Sequence, residues 1–290
     1  MRIALHGRIN REDSLFYLDQ IIEQIQSNNS EIVFSPELFQ SAKAHFKTKQ
    51  FEVIDSKFDS STIDYYFSLG GDGTLLETVS KVGSLQTPIL GINLGKLGFL
   101  ATINKKDIEP ALNSFFAKEF SFDDRMLIHL DSNNSVFEGQ NFALNEVAVL
   151  KRDTSSMIIV HCYIDGEFVN TYWADGLMVS TPTGSTGYSL SAGGPLVLPQ
   201  SDSFIITPVS PHNLNVRPLI VSGSSIISFE IEGKGRSFLT SLDSRSYKVD
   251  NSVSLSVRKE SFSARLIKLN GYNFFDTLRT KLNWGLDIRN

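Results

Sequence analysis

Cys162 is the only cysteine among the 290 residues. A lone thiol excludes a disulfide framework and a cysteine-built metal site, and it fits a reducing compartment. The five histidines are scattered and make no zinc-type spacing. Long apolar runs are missing: nothing in the chain approaches the ~20 residues that a membrane-spanning helix needs. The first residues, MRIALHGRIN, are too short and too polar for the apolar region of a signal peptide, so a cytoplasmic protein is expected. Charge of one sign never accumulates: the net charge is −5 with no block of like charges. That argues against a general nucleic-acid or anionic-membrane binder. Internal repeats and low-complexity linkers are absent as well. Several familiar site signatures are missing. Gly95-Lys96 is followed by Leu97, which breaks a Walker-type loop, and Gly91, Gly95 and Gly98 do not match the dinucleotide fingerprint. There is no G-x-S-x-G elbow.

What is present is an ordinary globular composition, 41% hydrophobic and 20% charged, organised around Gly70-Gly71-Asp72-Gly73-Thr74. Upstream, Ile63, Tyr65, Phe67 and Leu69 alternate with Asp64, Tyr66 and Ser68, which predicts a strand. Downstream, Leu75, Leu76, Val79 and Val82 share a helical face. The glycines therefore occupy a strand-to-helix turn, where free backbone N–H groups can meet an anion. Thr74 and Glu77 have capping-box spacing, which assigns the helix cap to Thr74 and leaves Asp72 without a structural task. The residues alone leave two readings open: a tight turn with a well-placed acid, or a site.

The surrounding pattern divides the chain. A strand over Arg2–His6, a helix carrying Leu15, Leu18, Ile21, Ile22 and Ile25, a strand over Glu31–Phe34, a helix near 37–47 and a strand over Pro88–Asn93 predict a parallel α/β domain over residues 1–100. Asp107–Lys118 reads as a connecting helix. Short β-like runs follow at Met126–Leu130, Phe142–Leu150, Met157–Ile164, Leu177–Ser180, Ser203–Pro208, Ser225–Ile231 and Ser252–Val257, punctuated by turns such as Asp165-Gly166 and Gly233-Lys234-Gly235. They predict a β-rich domain over 101–270. Phe274, Phe275, Leu278 and Leu282 have helical spacing, with Trp284 after them, and predict a terminal helix over 271–290 that packs back rather than leaving those side chains wet.

A second unusual stretch, Asp175 to Pro195, reads DGLMVSTPTGSTGYSLSAGGP. Closely spaced hydroxyls and backbone N–H groups suit the oxygens of a nucleotide or sugar, and Tyr188 offers a flat ring. The plain alternative is a Ser/Thr-rich loop. Asn145-Glu146 interrupts an apolar run, and burying that pair without a partner is costly, so a strand end at the surface is the simpler reading. Asp243-Ser244-Arg245 and Pro211-His212-Asn213 read as turns.

Taken together, these stretches resemble the NAD kinase family. GGDGT, GINLGKLGFL (Gly91–Leu100), Asn145-Glu146, Thr181–Pro195 and PHNLNVRP (Pro211–Pro218) are similar to its motifs in order and spacing, roughly from residue 60 to 250. GGDGT alone is also shared with diacylglycerol-type lipid kinases and phosphofructokinases. Three positions depart from the family pattern: Gly187 for alanine, Trp173 where some relatives are basic, and Arg245 where many bacterial members have glutamine. The resemblance implies an NAD kinase-like fold of an α/β domain and a β-rich NAD-binding domain, with the C-terminal segment returning to the first. It implies ATP-dependent phosphorylation of NAD at the 2′-hydroxyl of the adenosine ribose, with Mg²⁺, in a homodimer or homotetramer. Asp72 would be the proton acceptor, with a metal-ligand role as the alternative. Gly70, Gly71, Gly73 and Thr74 would approach phosphates. Gly73, Asn145, Glu146, Asp175, Thr186, Gly187, Tyr188, Ser189, Leu190 and Ser191 would hold NAD. The rival readings are a lipid kinase sharing the turn, which would not need the hydroxyl loop, and a non-catalytic NAD(P)-sensing module, which could dispense with Asp72.

Overall fold

The computed structural model describes residues 1–9, 11, 13–46, 51–95, 98–133, 137, 139–152, 156–232 and 237–283. Lys96-Leu97, the Gly233–Gly235 turn and Trp284 lie outside them. Contacts divide the chain into two compact units: Met1–Asp123 together with the chain from Arg265, and Asp124–Ala264.

In the first unit, strands β1 (Arg2–Gly7), β2 (Glu31–Phe34), β3 (Glu52–Val53), β4 (Tyr65–Leu69), β5 (Ile89–Asn93) and β6 (Ile103–Asn104) alternate with helices. The helices are α1 (Asp13–Ser27), α2 (Pro36–Ala42), α3 (Asp72–Val82) and α4 (Ile108–Phe116). The parallel order is β5-β4-β1-β2-β3, with β6 beside β5. Alternation decides which side chains face which layer. Ile3, Leu5, Phe67, Leu69, Leu90 and Ile92 share a core with Leu18, Ile21, Ile22 and Ile25 of α1 and with Ile108, Leu112 and Phe115 of α4. The opposite face receives α3, where Thr78 donates to Ser68 Oγ at 2.9 Å. The unit runs past the expected boundary at residue 100 because α4 supplies part of this core. Helix α2 is shorter than the expected 37–47; Ser35 caps it and Pro36 opens it, as helix starts favour. The strand order reverses between β1 and β4, so the glycine turn after β4 stands at the carboxyl end of the sheet where open α/β folds place ligands.

The second unit is a β-sandwich. Its strands are β7 (Phe120–Ser132), β8 (Phe142–Ala143), β9 (Glu146–Leu150), β10 (Ile158–Ile164), β11 (Glu167–Ala174) and β12 (Gly176–Ser180), followed by a single turn of helix, α5 (Tyr188–Ser191). Then come β13 (Ser203–Val209), β14 (Leu219–Ser222), β15 (Ile227–Glu232), β16 (Ser237–Leu242), β17 (Arg245–Asp250) and β18 (Leu255–Leu269). The unit boundaries fall inside β7 and β18. One antiparallel sheet runs β14-β13-β12-β9-β16-β17; β11, β10, β15 and β18 line the facing layer, with β7 paired to β18 and β8 to β7. Their facing residues make one core, Val147, Val149, Leu177, Val179, Phe204 and Phe238 against Val160, Cys162, Phe229, Leu255 and Val257. Sequence pattern missed β11, β14, β16 and β17, whose outward residues are too mixed in polarity to alternate cleanly.

The terminal helix α6 (Phe274–Leu282) corrects an expectation. Asn273 caps it, but only Leu278 of its residues is buried; Phe275 is 52% and Leu282 38% exposed. The four side chains share one face about 100° wide, but the helix is covered only near the middle of that face, at Leu278, so Phe275 at its edge and Leu282 in the last turn meet solvent.

Candidate active site

The glycine turn forms because a strand must reverse into a helix within a few residues. A Cβ at Gly70 would overlap Thr74 Oγ1, whereas Gly71 and Gly73 open on free space. The cap is Gly71, not Thr74: α3 begins at Asp72 and no side chain caps it. The opening N–H groups of a helix lack intrahelical partners, so this end stays open to an anion. Glu77 is likewise not a capping partner; it receives Arg8 Nη1 at 2.7 Å.

Asp72 does have a structural task. Its Oδ2 accepts the Phe99 N–H at 2.8 Å, and its Oδ1 accepts those of Leu100 and Ala101 at 3.0 and 3.1 Å. Gly98 passes so near that a Cβ would overlap the carboxylate. The Gly91–Leu100 stretch is therefore partly a loop laid over the acid. With one N–H on Oδ2, the carboxylate keeps accepting capacity there.

In the second unit the hydroxyl-rich segment sorts into two sets. Thr181, Thr183, Ser185 and Ser189 are buried and bonded inward. Thr181 Oγ1 donates to Leu144 O at 2.5 Å, Ser185 Oγ donates to Val197 O and accepts its N–H, and Ser189 Oγ lies 2.9 Å from Thr207 Oγ1. These hydroxyls build the loop. Thr186, Gly187, Tyr188, Leu190 and Ser191 keep exposure, Tyr188 at 41%.

The loop closes on Asn145-Glu146. Asn145 O accepts the Thr181 N–H at 2.8 Å, and a Cβ at Gly184 would collide with the Asn145 backbone. A Cβ at Gly187 would lie 3.2 Å from Gly184 O, 3.3 Å from Glu146 Oε2 and 3.4 Å from Asn145 Nδ2, so a methyl group fits there once its neighbours give by a few tenths of an ångström. The run 142–150 breaks after Ala143, as the polar pair predicted, yet Glu146 is only 8% exposed rather than a surface strand end. Its Oε2 and Asn145 Oδ1 are buried without hydrogen-bond partners. Burial and the nearby Asp243 push the Glu146 carboxyl up to about 8.

Asp243 and Arg245, read from sequence as a turn, do form one: they close the β16–β17 hairpin, with Asp243 at φ 53°. They also grip the segment before β9. Asp243 accepts the N–H groups of Leu144, Asn145 and Glu146 at 2.9, 2.8 and 3.3 Å. Arg245 donates to the carbonyls of Gln140, at 2.9 Å, and Phe142. Asp175, between β11 and β12, is paired with Lys151 Nζ at 2.6 Å. Trp173 is half-exposed, and its carbonyl accepts the His212 N–H at 2.7 Å.

A family model described as the ATP-NAD kinase N-terminal domain matches residues 3–120, and one described as the ATP-NAD kinase C-terminal domain matches residues 144–269. The fold is thus the two-domain ATP-NAD kinase fold, an α/β domain followed by a β-rich one. The chain is 50% identical over 293 residues to an NAD kinase of Cytophaga hutchinsonii, covering 100% of both. It is 38% identical over 299 residues to an NAD kinase of Christiangramia forsetii, again with 100% of both covered. Among solved structures it is similar to an NAD kinase from Archaeoglobus fulgidus in complex with ATP, with a TM-score of 0.77 and 27% identity over 98% of this chain and 99% of that one. The yeast NADH kinase complexed with NADH shares the fold at a TM-score of 0.90 and 23% identity, over 100% of this chain and 89% of that one. The chain belongs to the NAD kinase family.

Proposed function

We propose that this protein transfers the γ-phosphoryl group of ATP to the 2′-hydroxyl of the adenosine ribose of NAD, giving NADP. The observation that carries the reading is the meeting of two sequence-distant motifs at Gly187, which stands against both Asn145 and Glu146. Buried acceptors and donors without partners, beside an exposed ring and hydroxyl at Tyr188 and Ser191, suit a ligand rich in sugar oxygens and aromatic bases. Asn145, Glu146, Asp175, Thr186, Gly187, Tyr188, Leu190 and Ser191 hold NAD in this reading; Ser189 contributes through its backbone, its hydroxyl being bonded to Thr207.

Asp72 is the proton acceptor. A sugar hydroxyl is a weak nucleophile, and a carboxylate with spare capacity on Oδ2 takes its proton as the bond to phosphorus forms. Of the residues expected to approach phosphates, Gly71 and Gly73 offer backbone N–H groups to the phosphate oxygens, whereas the Gly70 N–H is held by Ile92 O and the Thr74 N–H by Gly71 O. Among the described residues no group of three His, Cys, Asp or Glu could hold a metal ion by itself. Mg²⁺, an ion commonly bound by one or two carboxylates besides, would come with ATP on its phosphate oxygens; ligation by Asp72 is the alternative to its role as base. The ion would spread the charge of the phosphoryl group in flight.

The rival lipid kinase has no use for the loop built on Thr181–Pro195, whereas a sensor would keep Asp72 for its three backbone hydrogen bonds, so NADP formation is what separates it from a kinase. Among the described residues no helix is long and apolar enough to cross a membrane. A cytoplasmic homodimer or homotetramer completes the reading. Purified protein given ATP, Mg²⁺ and NAD, with the product identified by mass, tests it: NADP is expected, and diacylglycerol in micelles should remain unmodified. Lipid phosphorylation without NADP overturns the assignment.

A further inference from the structure

Two carboxyl groups share the corner where the hydroxyl loop meets β9, and their surroundings differ. Asp243 receives three backbone N–H groups, from Leu144, Asn145 and Glu146. Glu146 Oε2 is buried with no donor. Burial raises both carboxyls, but at Asp243 the three N–H groups and the nearby Arg245 oppose it; two neighbouring buried carboxylates cannot both ionise cheaply, and the one rich in donors keeps the charge. The charged side chains packed against this corner are Asp243 and Arg245 of the β16–β17 hairpin. Arg245 is committed to the carbonyls of Gln140 and Phe142. Ser180 of β12, opposite Glu146 in the ladder, and Gly187 bring no charge.

We propose that Glu146 meets the dinucleotide as an uncharged carboxylic acid that donates a hydrogen bond from Oε2, and that Asp243 is the positioning residue that keeps it in that form. This rests on the NAD kinase reading. Three consecutive N–H bonds fix the backbone of Leu144–Glu146, and the hairpin's Arg245 holds the carbonyls just upstream, so one turn grips the strand entrance by both signs of charge. Asn145 Oδ1, also buried without a partner, then presents an acceptor beside the Glu146 donor. A donor and an acceptor side by side match a neutral ligand group, whereas a carboxylate there would repel the phosphate oxygens of any nucleotide.

The proposal predicts a pH profile in the KM for NAD. Glu146 titrates near 8 because it is buried beside Asp243. Above that pH the donor is lost and KM rises, approaching about tenfold per pH unit, while kcat does not follow it. Glu146→Gln keeps a donor but cannot titrate, so the rise disappears. Asp243→Asn removes the neighbouring charge, so the rise moves to lower pH. That shift is one that loss of stability alone does not produce. Steady-state kinetics from pH 6.5 to 9.5, at saturating ATP, measure all three. A wild-type KM that is flat or falls with pH, or a rise that survives in Glu146→Gln, overturns the donor role; an unmoved midpoint in Asp243→Asn overturns the role of Asp243. The wild type and Glu146→Gln decide the first point even where Asp243→Asn does not fold. Absence of NADP at every pH instead refutes the kinase reading.

Discussion

Gly98 lies against the carboxylate of Asp72, with no room for a Cβ between them. The acid at the glycine turn and the loop after β5 are thereby one structure, sealed by the N–H groups of Phe99, Leu100 and Ala101. Gly98→Ala must displace either the loop or the acid. A stability loss of about 1–3 kcal/mol is expected. Turnover should fall by about 10²-fold, as small misplacements of a reacting group do. Denaturant melts and NADP formation check this; unchanged values of both contradict the contact.

Asp72→Asn follows from the same geometry. Asparagine keeps one acceptor oxygen but turns an NH2 toward backbone donors, leaving at least one N–H unpaired. The variant should lose about 1–3 kcal/mol of stability. Turnover should drop about 10²–10⁴-fold if the carboxylate is the base. Recovery of most turnover at raised Mg²⁺ would instead mark Asp72 as a metal ligand.

The two sets of hydroxyls separate by mutation. Ser189→Ala strands the buried Thr207 hydroxyl and should cost about 1–3 kcal/mol. Ser191→Ala, on the exposed side, should stay within about 0.5 kcal/mol in stability and raise the KM for NAD. Equal melting temperatures for the two variants would contradict this sorting.

Helix α6 offers a contrast within one element. Leu278→Ala removes its only buried side chain and should cost about 2–5 kcal/mol. Phe275→Ser, at a site 52% exposed, should stay within about 0.5 kcal/mol. Thermal melts of the two single variants distinguish them.

Glu146 also couples stability to pH. Its folded carboxyl titrates near 8, above its ordinary 4.5, so the folded state holds a proton that the unfolded chain has released between those values. The stabilisation is complete below about pH 4.5 and is lost progressively up to about 8. Glu146→Gln should flatten that part of the stability profile, measured as denaturant midpoints from pH 4.5 to 9. A profile that keeps the wild-type slope contradicts the raised value.

Local pattern carried much of this protein. Alternation marked β4, helical spacing marked α1 and α3, and the glycines around Asp72 marked the turn, because each depends on neighbours within a few residues. The interrupted run at Asn145-Glu146 likewise announced a break in the strand. What the packed chain decided was what those residues touch. Asp243 takes its hydrogen bonds from residues 97 to 99 positions away, and Asp72 from residues 27 to 29 away. Neither pairing leaves a periodic trace, since a carboxylate accepts from whatever backbone the fold brings to it. The same holds for Ser189 and Ser191: two hydroxyls two residues apart are equivalent in composition, and only the direction of a single helical turn sends one into the core and the other to the surface.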